Sequence, residues 1–579
     1  MKEIDKRIRS ATRQFVRAAI RSPKHLAMCA DAVARQIEAL PPGASIALYG
    51  CGGLATTLVS RHRAVLQGRQ NLCFLVTERQ FDRFLEFPVI SLPQARRRPP
   101  DVCLLMSAIF EQEMRAHLAF LPREQIIGLQ PIVEMYGASA FKTQARRELC
   151  AHVAAERDRI VAQLPAGRPI VVFATQNPAL HTLKHISEVT RRGFATILAV
   201  ERVDITEGIS LRDFEVRGYF GALFESSVSF PLEVLELVSG LDVLLIHAEA
   251  AMWTSEPLAY LLEHKTCPVV VEYRDFKELV FPDDETARRT LRLSKADFSR
   301  EWTALRTVFQ KADGIIYKDS PESIALLERK HRHSRPNAFH FFHYCSDLFV
   351  SGRAPGKLSA VDGEIRVVYA GNLSNDPTWH NYPIFSSLLR AAKILADQRI
   401  HLTVLNAVDS SGVGFEDYLE LDRQCPYFHY RFALPYHELG FELGRHDFGW
   451  LCFDFSRARE SADFLRVTMG SKIFSYLEAG LPILVSPEQA YMAEIVESMG
   501  IGQVVGFKEL PRLGRTLSGI DRQALADRIT AAREDWSYRR HIPRLLEFYR
   551  AVAAQPPRRG AGRIRPRANP TLPKPTKRK

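Results

Sequence analysis

The chain has 579 residues, of which 46% are apolar and 10% aromatic. At roughly 150 residues per domain this is material for several cored domains, which excludes a disordered or fibrous protein. The formal charge of +12 is unevenly placed: residues 555–579 hold nine Lys or Arg and no acid, residues 1–24 hold eight basic and two acidic residues, and the chain between them carries −3. A basic nucleic-acid groove is thereby excluded for the body, and the tail lacks the interleaved aromatics of a single-strand binder, so no specific nucleic-acid partner is expected.

No uninterrupted apolar stretch reaches the roughly 18 residues of a membrane-crossing helix, and the start lacks the apolar core and cleavage site of a secretory signal. The expectation is a cytoplasmic protein. The nine cysteines are scattered and include no C-x-x-C pair, which speaks against a disulfide framework or a structural zinc site. No motif specifies an oligomeric state.

Residues 1–39 read as a basic N-terminal helical segment. Ile4, Ile8, Ala11, Phe15, Ala18 and Ala19 form a helical stripe beside Arg13, Arg17 and Arg21, suited either to packing on the protein itself or to peripheral contact with an anionic membrane. A second helical stretch covers 26–39 and ends at Pro41-Pro42-Gly43. The segment SIALYGCGGLATTLVSRHRA then runs from an apolar strand through a glycine turn into a helix, and NLCFLVTE, FPVISLP and DVCLLMSA follow as further strands. This predicts a small Rossmann-like α/β domain over 40–140. Gly50, Gly52 and Gly53 would bring backbone N–H groups near a ligand, and Glu78 stands where a ribose-binding acid would. The pattern resembles nucleotide-sugar-binding or CoA-binding domains attached to sugar-modifying enzymes. Two readings stand, a ligand site or glycines that serve only close packing.

A polar helical linker is expected over 141–164. A second α/β domain over 165–350 is marked by the strands PIVVFATQ, TILAVE, VLLIHAE, PVVVEYRD and GIIYKDS. A Gly-, Ser- and Pro-containing linker follows over 351–364. The third domain, 365–554, has the strands IRVVYAG, HLTVLNA, FHYRF, GWLCFD, LPILVS and GQVVG and closes with a helix over 521–553; residues 555–579 are too poor in apolar groups to fold.

Two α/β domains joined by one linker create a cleft, and ligands of open parallel sheets sit beyond the carboxyl ends of the strands. Gly371, at the end of VVYAG, leaves room for an approaching ligand, with Asn372, Ser374 and Asn375 as hydrogen-bonding groups beside it. The most informative stretch is TMGSKIFSYLEAGLPILVSPE: Gly470 and Ser471 lead into a short helix carrying Lys472, Ser475, Tyr476 and Glu478. Unpaired N–H groups at the helix start and the Lys472 charge suit a diphosphate. Arg466, Arg457 and Arg459 are further cations nearby. On the other domain, His247 and Asp275 follow strands whose ends face the cleft and are candidates to orient or deprotonate a hydroxyl of a ligand there. The histidines at 331, 333, 340 and 343 do not have metal-ligand spacing, and no metal is expected.

The segment from Lys472 to Pro482 resembles the nucleotide-binding motif of GT-B glycosyltransferases of the retaining family 4-like group, related to sucrose and polysaccharide synthases and found in bacterial capsule, lipopolysaccharide and exopolysaccharide pathways. That resemblance, spanning roughly 165–550, implies a GT-B fold of two Rossmann-like domains facing a cleft, preceded here by the smaller α/β domain. It implies transfer of a sugar from a nucleotide-diphosphate sugar to a cell-envelope polysaccharide or glycolipid, with no tightly bound cofactor. Lys472 would act at the phosphates, and Gly371, Asn372, Arg466, Ser471, Ser475 and Glu478 would complete the donor site. The chain departs from the motif where Ser475 replaces the acid that holds the ribose and Val467 replaces the earlier acid. Glu478, three residues on, is a candidate substitute. This departure favours one alternative, a catalytically silent scaffold or regulator; a second alternative is a nucleotide-sugar-modifying enzyme of the same two-domain shape, such as an epimerase.

Overall fold

The computed structural model describes residues 23–77, 82–107, 110–176, 178–201, 211–226, 230–250, 255–291, 293–335, 337–348, 356–373, 383–407, 414–432, 434, 436–458 and 460–555. The stripe over residues 4–19, Glu78 and the basic tail lie outside these. The chain divides into two compact units, one of residues up to Pro165 with the segments Leu198–Val203 and Ala222–Leu241, the other of the remainder. No described helix is long and apolar enough to cross a membrane.

In the first unit, helix α1 (Pro23–Ala39) precedes β1 (Ile46–Tyr49), α2 (Gly53–Gln67), β2 (Leu72–Val76), β3 (Arg83–Phe84), β4 (Phe87–Ser91), α3 (Leu92–Arg97), β5 (Val102–Leu105), α4 (Glu111–His117), β6 (Ile126–Ile127) and the 35-residue α5 (Leu129–Gln163). The strands lie in the order β3-β4-β2-β1-β5-β6, parallel except for the β3–β4 pair. Strand alternation divides the core between the two faces. Ile46, Leu48, Phe74 and Leu104 pack with Val33, Ile37, Ala55 and Leu58 of α1 and α2, whereas Ala47, Tyr49, Leu75 and Cys103 meet Leu92, Ala95 and Leu118. The glycine turn is present, with Gly50 at φ +115° between β1 and α2.

The second unit holds two parallel sheets. Strands β7 (Ile170–Thr175), β8 (Val243–Ala250), β9 (Val269–Tyr273), β10 (Gly314–Tyr317) and β11 (Ala338–His340) lie side by side in the order β11-β10-β9-β8-β7, with α6 (Leu180–Arg191) following β7. The other sheet contains β12 (Arg366–Gly371), β13 (His401–Asn406), β14 (Phe428–Arg431), β15 (Phe448–Leu451), β16 (Ile483–Val485) and β17 (Gly502–Val504), in the order β14-β13-β12-β15-β16-β17. Near-continuous apolar runs such as VVV in β9 and VVY in β12 are those of parallel strands covered on both faces. The predicted α/β class, with several parallel sheets, is the architecture observed. In the second of these sheets the strand order reverses between β12 and β15, so a crevice opens at the carboxyl end of β12, at Gly371. Helix α7 (Lys472–Glu478) lies there.

The closing helical region is interrupted, where the sequence pattern predicts one helix over 521–553. Helix α8 (Arg522–Asp535) stops and α9 (Tyr538–Ala553) starts anew, because the backbone between them pairs with Cys345: the Cys345 amide donates to Trp536 O at 2.8 Å, and the Tyr538 amide donates to Cys345 O at 2.9 Å. Helix α9 then buries Tyr538, Ile542, Leu545, Tyr549 and Val552 along one stripe. Phe548 stacks on Phe339 of β11 at 4.8 Å, and a Cβ at Gly314 would lie 2.7 Å from its ring.

Helix α7 is seated by Tyr476. Its hydroxyl lies 3.3 Å from Val368 O and 3.2 Å from Trp450 O and accepts from the Ala370 amide at 3.3 Å, so it bridges β12 and β15. Gly449 makes this possible, since a Cβ there would stand 2.4 Å from the tyrosine ring. Gly449→Ala is therefore expected to lower stability by about 1–3 kcal/mol through overpacking, read as an earlier midpoint in urea unfolding.

Candidate active site

Helix α7 begins at the carboxyl end of β12, and its first side chain folds back over that strand. A Cβ at Gly371 would lie 2.2 Å from Lys472 Cε and 3.0 Å from its Nζ, so the lysine fills the space that glycine leaves open. The ammonium stands 5.5 Å from the centroid of the buried Tyr369 ring, whose π-face attracts it. The lysine is thus held over a backbone opening by its seat on the strand.

A cavity of about 310 Å³ opens beside it. Gly371, Asn372, Ser471, Lys472 and Ser475 line one side; His181, Lys184 and His343 line the other, with Leu405, Ala407, Leu434 and Leu439 as an apolar wall. Among the described residues, the lining has two lysines and two histidines and no carboxylate. Five of the residues singled out from the sequence thus come together here, while Ser374 and Asn375 fall outside the described residues.

Others occupy different surroundings. Glu478 is buried and bonded to Lys184 Nζ at 2.5 and 2.6 Å, and it accepts from the Ser346 amide at 2.7 Å. Burial pushes its carboxyl up from the usual range, against the pull of the Lys184 charge. It ties α7 to α6 and does not line the cavity. Arg466 lies on the surface, bonded to Glu322 and, at 3.0 Å, to Asp463. Asp275 is a third exposed and accepts from Lys318 at 3.0 Å. Lys318 also bonds Asp319 at 3.2 Å, and Asp319 accepts the Met469 amide at 2.8 Å just before α7. His247 is fully buried away from the cavity lining. Gly50, Gly52 and Gly53 form the turn of the first unit, Arg459 lies outside the described residues, and the histidines at 331, 340 and 343 go to separate places, His331 to Glu278 at 3.1 Å.

The residues that the sequence did not point to centre on Glu272 of β9. This buried carboxylate accepts from His185 Nδ1 at 3.0 Å, His247 Nε2 at 2.8 Å and His343 Nε2 at 2.8 Å. His247 Nδ1 in turn meets the Tyr549 hydroxyl at 2.5 Å. Burial alone would raise the Glu272 carboxyl, but the charge and hydrogen bonds of His185, joined by the bonds from His247 and His343, hold it well below the usual range. Burial depresses His343 to about 4, more than its bond to Glu272 restores, and burial likewise holds His181 well below the usual histidine range. His343 continues outward, its Nδ1 lying 2.7 Å from Ser471 Oγ, and His181 stacks on it at 4.1 Å and 7°. The one signal in the sequence was an acid inside the apolar run VVVEY, since a buried charge in a parallel strand requires partners.

His181, Glu272 and His343 are near enough to share a metal ion, as are His185, His247 and Glu272. The geometry does not favour it. Both nitrogens of His343 and of His247 are used in hydrogen bonds, and the ring planes of His181 and His343 are nearly parallel, so their in-plane lone pairs do not converge on one point.

No protein-family model matches the chain, and no curated protein matches it in sequence. Among solved structures it is similar to a mutant of the Thermobaculum terrenum O-GlcNAc transferase, at 12% identity and a TM-score of 0.43 over 95% of this chain and 98% of that one. It is also similar to sucrose-phosphate synthase from Thermosynechococcus elongatus, at 11% identity and a TM-score of 0.46 over 67% of this chain and 99% of that one. A third is Anabaena HepE in complex with UDP and glucose, at 12% identity and a TM-score of 0.45 over 66% of this chain and 99% of that one.

The Lys184–Glu478 pair makes a testable claim about this site. Lys184→Met leaves a carboxylate buried without its partner and is expected to cost about 3–5 kcal/mol, whereas the double variant Lys184→Met with Glu478→Leu recovers most of it, as urea unfolding of the three proteins would read.

Proposed function

We propose that the chain is a glycosyltransferase that moves a sugar from a nucleotide-diphosphate sugar to a hydroxyl of a cell-envelope polysaccharide or glycolipid. The observation that carries this reading is Lys472, seated over Gly371 at the mouth of a cavity whose described lining includes the cations Lys184 and Lys472. Departure of a nucleoside diphosphate concentrates negative charge on its phosphates, and the Lys472 ammonium, with the polar side chains of Ser471 and Asn372 beside it, stabilises that charge. The wall of Leu405, Ala407, Leu434 and Leu439 suits the flat apolar face of a base.

On the acceptor side, Asp275 is engaged by Lys318, which favours a transfer that uses no dedicated protein base. His247, bonded inside the protein, serves the Glu272 network. The donor itself supplies the leaving group, and no bound cofactor is required. The basic ends, residues 1–24 and 555–579, suit peripheral contact with an anionic membrane on the cytoplasmic side, an attraction that salt weakens.

Ser475 favours a second reading. It lines the cavity where the resembling family carries the acid that grips the ribose, and a neutral hydroxyl is the weaker acceptor. A silent scaffold would bind a nucleotide sugar and leave it unchanged, and an epimerase would return an altered sugar still on its nucleotide.

A panel of nucleoside-diphosphate sugars, followed for binding and for products, separates these. Transfer to an acceptor is expected, with Lys472→Ala weakening donor binding by about 10- to 100-fold for one lost charge-assisted contact. Binding that is indifferent to Lys472→Ala overturns the phosphate assignment.

A further inference from the structure

Ser471 has its hydroxyl committed before any ligand arrives. Glu272, being ionised, accepts only, so His343 Nε2 carries the hydrogen of their 2.8 Å bond. With His343 neutral, its Nδ1 is then a lone pair, and the 2.7 Å contact is Ser471 Oγ–H donating inward. In that state Ser471 offers the cavity lone pairs, the wrong polarity for a phosphate. Rotating the hydroxyl toward an anion would leave Nδ1 buried and unpaired, which is costly.

One arrangement satisfies both groups. We propose that His343, fixed by Glu272, is a proton-linked switch for Ser471: when a diphosphate enters the cavity, His343 takes up a proton from solvent on Nδ1, and Ser471 turns its hydroxyl to a phosphate oxygen. Nδ1–H then donates to Ser471 Oγ, and Ser471 donates to the ligand. The bonds formed are Nδ1–H and two hydrogen bonds, and the only bond broken is the inward one from Ser471. This inference rests on the donor reading above and adds to it how affinity depends on pH.

The groups facing His343 come from several elements. Glu272 on β9 bonds it; His181 and His185 on α6 contact its ring at 4.1 and 5.9 Å; Lys184, also on α6, lines the same cavity; Lys318 follows β10; Ser471 and Lys472 begin α7. The lysines and histidines oppose a further positive charge in the empty cavity, and His343 lies near 4. A doubly charged diphosphate diester reverses that balance and raises the histidine in the complex. The sign follows: a group raised on binding favours the complex below its bound value and ceases to as pH climbs through it. Affinity therefore falls with rising pH, by at most about tenfold per pH unit for one linked proton.

Calorimetric titration of the full chain with UDP-glucose, GDP-mannose and ADP-glucose near pH 6, in buffers of different ionisation enthalpy, counts the protons taken up. The diphosphate diester of these probes does not titrate there, so uptake belongs to the protein. The expected result is uptake on the order of one proton per probe bound, lost in both Ser471→Ala and His343→Gln, together with a flattened pH dependence of Kd. Should His343→Gln fail to fold, Ser471→Ala, a small change at a half-buried position, carries the test. Binding without proton uptake, or unchanged uptake in Ser471→Ala, overturns the switch and leaves the donor reading standing. Failure of all three probes to bind overturns the donor reading and the switch with it.

Discussion

Lys184 and Glu478 are both almost entirely excluded from solvent, and each would be costly there alone. They come from helices that follow strands of different sheets, so their pairing requires α6 and α7 to meet at one depth. The segment after β11 then threads past them and adds one bond at each step. His343 reaches Ser471, Cys345 pairs in the backbone with the Trp536–Tyr538 break, and the Ser346 amide caps Glu478. The demand that every buried polar group find a partner thus holds together the floor on which the cavity rests.

The cavity follows from small residues as much as from charged ones. Gly449 admits the Tyr476 ring, whose hydroxyl bridges two strands and seats α7. Gly371 admits Lys472, which would otherwise be pushed off the strand. Behind the cavity, Glu272 gathers three imidazoles, those of His185, His247 and His343, and fixes which nitrogen of each donates to it. The same side chains therefore serve stability inside and polarity at the surface of the cavity, which is why His247 belongs to the site's support although it does not reach the opening.

Much of the architecture was legible in advance. Apolar runs of four to six residues alternating with helical stretches announced an α/β chain of parallel strands, and the strand–glycine–helix segment at Ser45–Ala64 and the start of α7 stood where read. The break between α8 and α9 was not legible, since residues 535–538 contain no glycine or proline; the helix gives way there because the Cys345 backbone supplies competing hydrogen bonds from nearly two hundred residues away. Glu478 shows the same limit. Its helical spacing from Ser475 made it a candidate for the ligand, but its partner, Lys184, lies 294 residues earlier in the chain and turns the carboxylate away from the opening.

By itself the amino-acid sequence determined the local items: which segments are strands, where the glycines leave room, and that Lys472 stands at a helix start. These depend on the period of side chains along a few residues and on the missing Cβ of glycine. Tertiary structure decided which charges are drawn into buried ties or surface pairs and which side chains line the cavity. Glu478, Asp275 and Arg466 are charged residues like Lys472 when read along the chain, and it is the place that folding gives each that separates a buried tie or a surface pair from a group at the cavity. Burial and long-range pairing set that distinction, and neither has a period that a sequence displays.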